Sequence, residues 1–276
     1  MKIDRAFVRL KEGLVHIRTC GEESKDQLPV YVVHPSPASA RGMEPIIKLF
    51  GETRRVIAPD TLGNGDSAAP IEDSPEIEYF ADSVVRLLDE MNIEKVDFYG
   101  SHTGGRTGCE MAGRYPDRVH RVVLDGIVEY EPALKKQILE NYAPEIQPDD
   151  HGGHLSWAFN FVRDQAFFFP YFMRDAEHAM GNPGRTPEHL HAHTVDVLKG
   201  LTTYHKPYLA AFRYPARDRM PQIKVPTLVM AGELDPPHLI RGTKEMAVLS
   251  DLAEMKVVGL GPKAKVDAAV EFFDRA

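Results

Sequence analysis

The stretch KVDFYGSHTGGRTGCEMAG, residues 95–113, decides the fold that this sequence predicts. It reads as a buried strand, a sharp turn and a helix. A turn of this kind holds its apex residue in strained dihedral angles, so the flanking positions must be small. Gly100, Gly104 and Gly105 occupy those small positions. They fix the apex at His102, where a serine, cysteine or aspartate nucleophile would be expected.

The serine next to the apex does not fit the same role. If Ser101 were the apex, Tyr99 and Thr103 would occupy the positions that need small residues. Ser101 is therefore expected to point away from the mouth of the site. The sequence thus raises the question of what an imidazole can do at this turn.

Composition limits the classes of function. The chain has 276 residues, of which 43% are hydrophobic, and this is enough to bury a sizeable core. Its formal net charge of −8 argues against a general affinity for nucleic acid or an anionic membrane. Cys20 and Cys109 lack zinc-ligand spacing and predict no disulfide framework. The start of the sequence lacks a signal-peptide core, and no apolar run is long enough to cross a membrane. We therefore expect a soluble cytoplasmic protein.

Strand and helix signals alternate along the chain. Short β-branched runs at 28–34 and 54–60 are typical of buried strands. Residues 74–93 carry apolar side chains at helical spacing, with Ser74 as the expected N-cap. This alternation predicts an α/β fold with a mostly parallel twisted sheet that is flanked by helices.

The pattern changes between residues 128 and 221, which we call the cap segment. It has helical periodicity, frequent prolines, many aromatic residues and little strand character. We interpret it as a helical insertion into a core that is made of residues 1–127 and 222–276. Such a cap can exclude water from a pocket and supply its apolar wall.

Four landmarks in order resemble the α/β-hydrolase superfamily, and the resemblance covers nearly the whole chain. YVVHPSP at 31–37 resembles the His-Gly-x-Pro loop after the third strand, and residues 55–70 resemble the next strand with its glycine-rich turn. DFYGSHTGG at 97–105 matches the nucleophile elbow. PTLVMAGELD at 226–235 matches the strand whose following loop carries the catalytic acid. The resemblance implies the α/β-hydrolase fold.

The catalytic triad that the resemblance implies is incomplete. Asp235 and Asp125 occupy its two candidate positions for the acid. The histidine should follow the last strand, but Pro262 comes after the Gly-x-Gly pair there, and no histidine occurs after His238. Ser-His-Asp chemistry therefore cannot be written for this chain.

His102 can act in more than one way. An imidazole with a near-neutral pKa can serve as a general base or acid. It can also attack a carbonyl directly and form an acyl-imidazole that water hydrolyses. Asp235 or Asp125 would orient the ring or balance its charge. The alternative is an inert elbow in which His102 only fills space, although the three glycines, both acids and the His34 loop are still present.

The resemblance also implies an oxyanion hole, which this fold builds from two backbone amides. One would belong to Thr103, directly after the apex, and the other to Ser36. Pro35 and Pro37 have no N–H, so Ser36 is the one donor between His34 and Ala38. A proline-rich turn without a ligand is the alternative.

The remaining candidates are side chains for the substrate pocket. His34 matches a loop motif in which the ring usually braces the turn. His154, Trp157 and Arg163 lie in the aromatic part of the cap segment, where Arg163 could pair with a substrate carboxylate or with a cap acid. The spacing of the histidines in HLHAH, residues 189–193, is one that metals use, but surface histidines are the simpler interpretation and no metal site is predicted.

These observations predict a cofactor-independent enzyme that hydrolyses an ester, lactone, amide or carbon–carbon bond in a small carbonyl compound. Two alternatives stay open: a lyase or cofactor-free oxygenase that uses His102 as base, and a catalytically inactive ligand-binding protein. The expected partner is a small molecule, with no nucleic acid and no membrane. The oligomeric state is left open, with a homodimer as one option.

Overall fold

A central sheet organises the protein. The computed structural model describes residues 1–180 and 185–275. Within them, eight strands form one sheet in the order β1-β2-β4-β3-β5-β6-β7-β8. The first two pairings in that order are antiparallel and the others are parallel. The strands are β1 Asp4–Leu10, β2 Gly13–Cys20, β3 Val30–Val33, β4 Val56–Pro59, β5 Val96–Ser101, β6 Val119–Asp125, β7 Thr227–Gly232 and β8 Ala253–Val258.

Helices follow most of the strands and connect parallel neighbours. Within the same described ranges they are α1 Glu44–Phe50, α2 Ile77–Glu90, α3 Thr103–Arg114, α4 Pro132–Asn141, α5 Gly153–Phe167, α6 Pro187–Lys199, α7 His205–Arg213, α8 Ala216–Arg219, α9 Pro237–Ala247 and α10 Gly261–Phe273. The predicted cap at Ser74 is wrong by two residues, because α2 has Glu76 as its N-cap and begins at Ile77.

The sheet is covered on both faces because successive strand side chains point to opposite sides. Along β5, Val96 and Phe98 belong to a buried cluster that includes side chains of α2 and α3. The next residue, Tyr99, belongs to a second cluster, which includes side chains of α1 and α10. All six residues of β5 are buried. The predicted α/β fold, a mostly parallel sheet flanked by helices, is confirmed.

The cap segment is helical in the part that the structure describes. Residues 128–180 and 185–221 contain α4 to α8, and their strand-like pairing is an isolated bridge between Phe168 and Ala179. A third buried cluster is formed entirely by cap side chains, from Ile138 to Phe212. A segment with its own apolar cluster is what an inserted cap requires. The domain boundaries at 127 and 222 stay a prediction.

No helix in the described part of the chain combines the length and the apolar character that a membrane span requires.

Candidate active site

A strained turn joins β5 to α3. Its apex, His102, has φ 49° and ψ −99°, in a region that residues with a side chain rarely adopt. A Cβ on Gly100 would lie 2.1 Å from the carbonyl oxygen of Gly104, and a Cβ on Gly104 would lie 2.4 Å from that of Val33. Both positions therefore require glycine. The local sequence builds the turn for steric reasons, and the turn presents His102.

The imidazole of His102 lies against the backbone of Gly126, just after β6. A Cβ on Gly126 would come within 2.8 Å of His102 Cε1 and 2.9 Å of its Nδ1. Within residues 1–180 and 185–275 no protein group hydrogen-bonds to the ring. Burial lowers the pKa of His102, and the charges of Lys265 and Arg106 lower it further, while Asp125 and Asp235 act in the opposite direction. The ring is therefore neutral at neutral pH, with a lone pair free to accept a proton.

Replacing Gly126 with alanine should damage this arrangement. The residue has φ +78°, so a side chain costs about 1–2 kcal/mol in backbone strain alone. The new methyl group would also push the imidazole aside. We expect a lower free energy of unfolding in urea denaturation and at least tenfold lower kcat/KM.

The matched control for Gly126→Ala is Gly42→Ala. Gly42 has an ordinary φ, and a Cβ there meets no atom within 4 Å. It should change stability by less than about 0.5 kcal/mol and leave turnover unchanged. Equal behaviour of the two variants would contradict the contact between His102 and Gly126.

Asp125, one of the two predicted acids, is engaged elsewhere. It is 2% exposed at the end of β6. Lys265 Nζ, from α10, donates to both of its carboxylate oxygens at 2.9 and 2.8 Å, and Tyr99 Oη donates to Oδ2 at 2.6 Å. The backbone N–H of His102 donates to the carbonyl of Asp125 at 2.8 Å, but in the described ranges no hydrogen bond joins the carboxylate of Asp125 to the imidazole of His102. Its negative charge is thus balanced by a lysine directly beneath the elbow.

Asp235, the other predicted acid, lies in the loop after β7. Its Oδ2 accepts the backbone N–H of Gly232 at 2.7 Å. It lines the same cavity as His102 and acts on the pKa of that residue through its charge. In the described residues Asp235 and His102 are not hydrogen-bonded. A direct dyad is therefore not formed by either aspartate.

The two predicted oxyanion-hole residues meet beside the elbow. Ser36 N–H donates to the hydroxyl of Thr103 at 3.2 Å, and Asn64 Nδ2 donates to Ser36 Oγ at 3.4 Å. Thr103 is the first residue of α3, so its N–H has no partner within the helix. Both amides lie at the positive end of the helix dipole. They are placed where a developing oxyanion next to His102 could be stabilised.

A cavity of about 540 Å³ opens above the elbow. This is within the range of small-molecule sites. The core contributes Ser36, His102, Thr103, Arg106 and Asp235 to its wall. The cap segment contributes mostly aromatic and basic side chains, among them Tyr130, Tyr142, Phe169, Arg185, His189, His193, Tyr208 and Phe212. A site with this lining can hold a partly apolar molecule over the imidazole.

The structure does not bring His34 to the cavity. The ring is 1% exposed, its Nδ1 donates to the carbonyl of Pro35 at 2.8 Å, and its Nε2 accepts the N–H of Thr61 at 2.9 Å. Burial lowers the pKa of His34, which keeps the ring neutral and suited to one donated and one accepted bond. It braces the loop that carries Ser36.

The three cap residues predicted for the pocket also lie outside the lining. His154 Nδ1 accepts the N–H of Asp149 at 3.1 Å, at the start of α5. Trp157 stacks on Phe161 with 4.7 Å between ring centroids. Arg163 donates to its neighbour Asp164 at 2.9 and 2.8 Å, which is the cap-acid pairing that the sequence left open. These side chains stabilise the cap segment itself.

Sequence reasoning missed Arg106, although a signal was present. Arg106 comes four residues after the apex, so it lies one helical turn along α3 on the same face. His189 and His193 were treated as surface residues, but both line the cavity, and His193 Nε2 donates to the carbonyl of Pro37 at 3.1 Å. Their pocket location depends on how the cap packs, which no local pattern encodes.

One cluster outside the cavity has the donor types of a metal site. His16, Asp60 and Asp66 place one ligand atom each within 4.8 Å of the others. However, His16 Nδ1 hydrogen-bonds Asp60 at 3.0 Å, and Asp66 pairs with Lys199 at 2.6 Å. These partners engage His16 Nδ1 and both carboxylates, while Nε2 of His16 is buried without a partner among the described residues.

Comparison with known proteins adds independent information. The family model described as the alpha/beta hydrolase fold matches residues 29–258. A 2-hydroxymuconate semialdehyde hydrolase of Pseudomonas sp. (strain CF600) is 34% identical over 113 residues, which span 40% of this chain and 40% of that relative. The 3-oxoadipate enol-lactonase 2 of Acinetobacter baylyi is 25% identical over 235 residues, 76% of each chain. In fold, the enol-lactonase from Burkholderia xenovorans LB400 is similar with a TM-score of 0.72, at 22% identity, over 98% of this chain and 100% of that one.

Proposed function

This chain belongs to the α/β-hydrolase fold family, and on that premise we propose that it is a hydrolase of a small carbonyl compound with His102 as its working group. The observation that carries the proposal is the position of His102. It occupies the strained apex of the elbow, lines a ligand-sized cavity and keeps its ring free of protein hydrogen bonds in the described ranges. Strain of this kind persists where function requires it. The names of the relatives, a semialdehyde hydrolase and an enol-lactonase, support a carbonyl substrate.

Two routes to hydrolysis fit a neutral imidazole at this position. As a general base, His102 takes a proton from water while the water oxygen attacks the carbonyl carbon, and the imidazolium then returns that proton to the leaving group as its bond to the carbonyl carbon breaks. As a nucleophile, its nitrogen attacks the carbonyl, the leaving group departs, and water then cleaves the acyl-imidazole to release the acid and free imidazole. Both routes place negative charge on the carbonyl oxygen.

The amides of Thr103 and Ser36 would stabilise that oxygen. Ser36 N–H donates to the Thr103 hydroxyl over 3.2 Å, a long bond that a substrate oxyanion could replace. The N-terminus of α3 adds a favourable dipole at the same point. Asp235 would balance the charge of a protonated His102 across the cavity rather than through a direct hydrogen bond.

A second candidate is proton abstraction without hydrolysis, as in a lyase or cofactor-free oxygenase. It is favoured by the missing contact between His102 and a carboxylate in the part of the chain that the structure describes. A base that relays protons through an acyl-enzyme depends on an orienting acid. A base that removes a single proton from an activated carbon does not.

An assay of purified, metal-free protein tests the proposal. p-Nitrophenyl esters, lactones, amides and 1,3-diketones would be incubated with the wild type between pH 5 and 9, with product detected by chromatography. We expect turnover of at least one carbonyl class. Proton exchange at an activated carbon without bond cleavage would support the second candidate. Binding without any reaction would contradict both and leave the ligand-binding protein.

The pH dependence of turnover follows from the environment of His102. Because burial lowers its pKa, the ring loses its proton below the ordinary histidine value of about 6.5. The working form is neutral, and the protonated fraction grows only as the pH falls through that lowered pKa. We expect kcat/KM to be level near pH 8 and to fall only as the pH drops through this lowered pKa. The acid limb is the pH range in which kcat/KM falls as the pH decreases. An acid limb that already begins above pH 7, measured at constant ionic strength, would contradict the assignment.

A further inference from the structure

Arg106 is a buried cation that has no anionic partner among the residues that the structure describes. The residue is 4% exposed and lines the cavity. Its Nη1 donates to the carbonyl of His102 at 3.1 Å, its Nη2 donates to the carbonyl of Val128 at 2.6 Å, and its Nε has no partner. Across residues 1–180 and 185–275, no carboxylate forms an ion pair with it. Two neutral carbonyls leave most of its five donors unused.

This arrangement is costly for the free protein. A charge taken out of water needs an opposite charge or a full set of hydrogen bonds, and burial lowers the pKa of Arg106 accordingly. The neighbouring carboxylate of Glu129 is already paired with Lys135 at 3.1 Å. A neutral amide side chain could also donate hydrogen bonds to two carbonyls. Within the described part of the chain, the positive charge itself therefore has no structural partner.

The rest of the cavity wall also carries more positive than negative charge. Arg185 also lines it, and Asp235 is the one acid among its described lining residues. Next to Arg106, Tyr130 stacks on Phe169 with 5.4 Å between ring centroids, which gives a flat apolar wall. Burial raises the pKa of Tyr130, so its hydroxyl stays neutral. The site combines a guanidinium that keeps unused donors with an aromatic surface.

We propose that the cavity selects substrates that carry a carboxylate, which Arg106 binds beside the elbow while an apolar body packs on the Tyr130–Phe169 wall. The inference rests on the proposed function, since it names the substrate class for the same site. Because Arg106 already contacts the carbonyl of His102, an anion on its free donors lies next to the reacting group. The fork geometry of a guanidinium suits a planar carboxylate.

Isothermal titration calorimetry at low salt and pH 7.5 tests this inference without any turnover. The probes are benzoate, phenylacetate and 4-phenylbutyrate, each compared with its primary amide. We expect the wild type to bind at least one acid about 10–100-fold more tightly than its amide, because a charged hydrogen-bonded pair replaces an unpaired buried charge. His102→Ala should keep this preference.

Variants assign the preference to one residue. Arg106→Met should reduce it to less than about threefold, and Arg106→Lys should keep part of it, since the charge remains but the fork is lost. Arg174→Met is the matched control, because Arg174 is a cap arginine on Asp164 outside the cavity, and Asp164 keeps Arg163 as a partner. Melting temperatures show whether each variant folds. If Arg106→Met does not fold, the affinities of the wild type and of Arg106→Lys for each acid and its amide still test the inference.

Equal affinity for every acid and its amide in the wild type would overturn the inference, and so would an acid preference that survives Arg106→Met. A preference that disappears in Arg185→Met but not in Arg106→Met would also overturn it. If the protein hydrolyses a carbonyl compound but does not bind acids more tightly than their amides, this inference fails and the proposed function stands. If it binds acids more tightly than their amides but hydrolyses nothing, this inference stands and the proposed function fails.

Discussion

Alanine in place of His102 is expected to lower kcat/KM at least about a hundredfold and to leave ligand affinity within about threefold. A positioned base contributes a factor of about 10²–10⁴, and a lost nucleophile costs at least as much. The ring makes no hydrogen bond to the protein within the described ranges, so its removal leaves no buried group unpaired. Folding should therefore survive. Steady-state kinetics with the best substrate, together with calorimetric binding, measure both effects.

His151→Ala is the matched control for this experiment. His151 has a side chain that is 91% exposed in the loop before α5, and it is not among the residues that line the cavity. It should keep wild-type kinetics. If His102→Ala retained more than a tenth of the wild-type activity, the imidazole would not be the working group. The inert-elbow interpretation would then gain support.

The elbow was predictable because it depends on short-range sterics. Three glycines around one residue can be read directly from the sequence, and the structure shows the close contacts that make Gly100 and Gly104 necessary. The order of the landmarks along the chain predicted the sheet for a related reason. Strand, turn and helix signals are local, and the rules that connect them into an α/β fold are few.

The cap segment was predicted less well, because orientation there depends on tertiary packing. Its helical character follows from local periodicity. The face that each helix turns toward the cavity does not, so Trp157 packs on Phe161 while His189 and His193 reach the site. Arg163 shows the same difficulty, since its neighbour Asp164 is as good a partner as any substrate.

The partner of Asp125 was hidden for a different reason. The sequence shows that the loop for a catalytic histidine is shortened. In the structure α10 begins at Gly261, with Pro262 in its first turn, and replaces that loop. The second turn of α10 then carries Lys265 toward the end of β6. Nothing local in the sequence marks this lysine, because the pairing joins positions 140 residues apart.

Lys265→Met is expected to lower the free energy of unfolding by about 3 kcal/mol, because it leaves the buried carboxylate of Asp125 without its counter-charge. Tyr99 would still donate one hydrogen bond to Asp125, which keeps the loss below that of a fully orphaned charge. Urea denaturation of wild type and variant measures the difference. Adding Asp125→Asn to the Lys265→Met variant should recover part of the lost stability, because the amide carries no charge that needs Lys265.

The same substitution should also move the pH profile of turnover. The positive charge of Lys265 lowers the pKa of His102 and the negative charge of Asp125 raises it. With the lysine removed, the charge of Asp125 is no longer offset by it, so the protonated imidazole is favoured and the acid limb of kcat/KM shifts to higher pH. Lys263→Met, which breaks an exposed pair with Asp267 on the same helix, should change stability by less than about 0.5 kcal/mol and leave the limb in place. A lysine that served stability alone would lower the free energy of unfolding without moving the limb, so the two readouts separate a structural role from an electrostatic one.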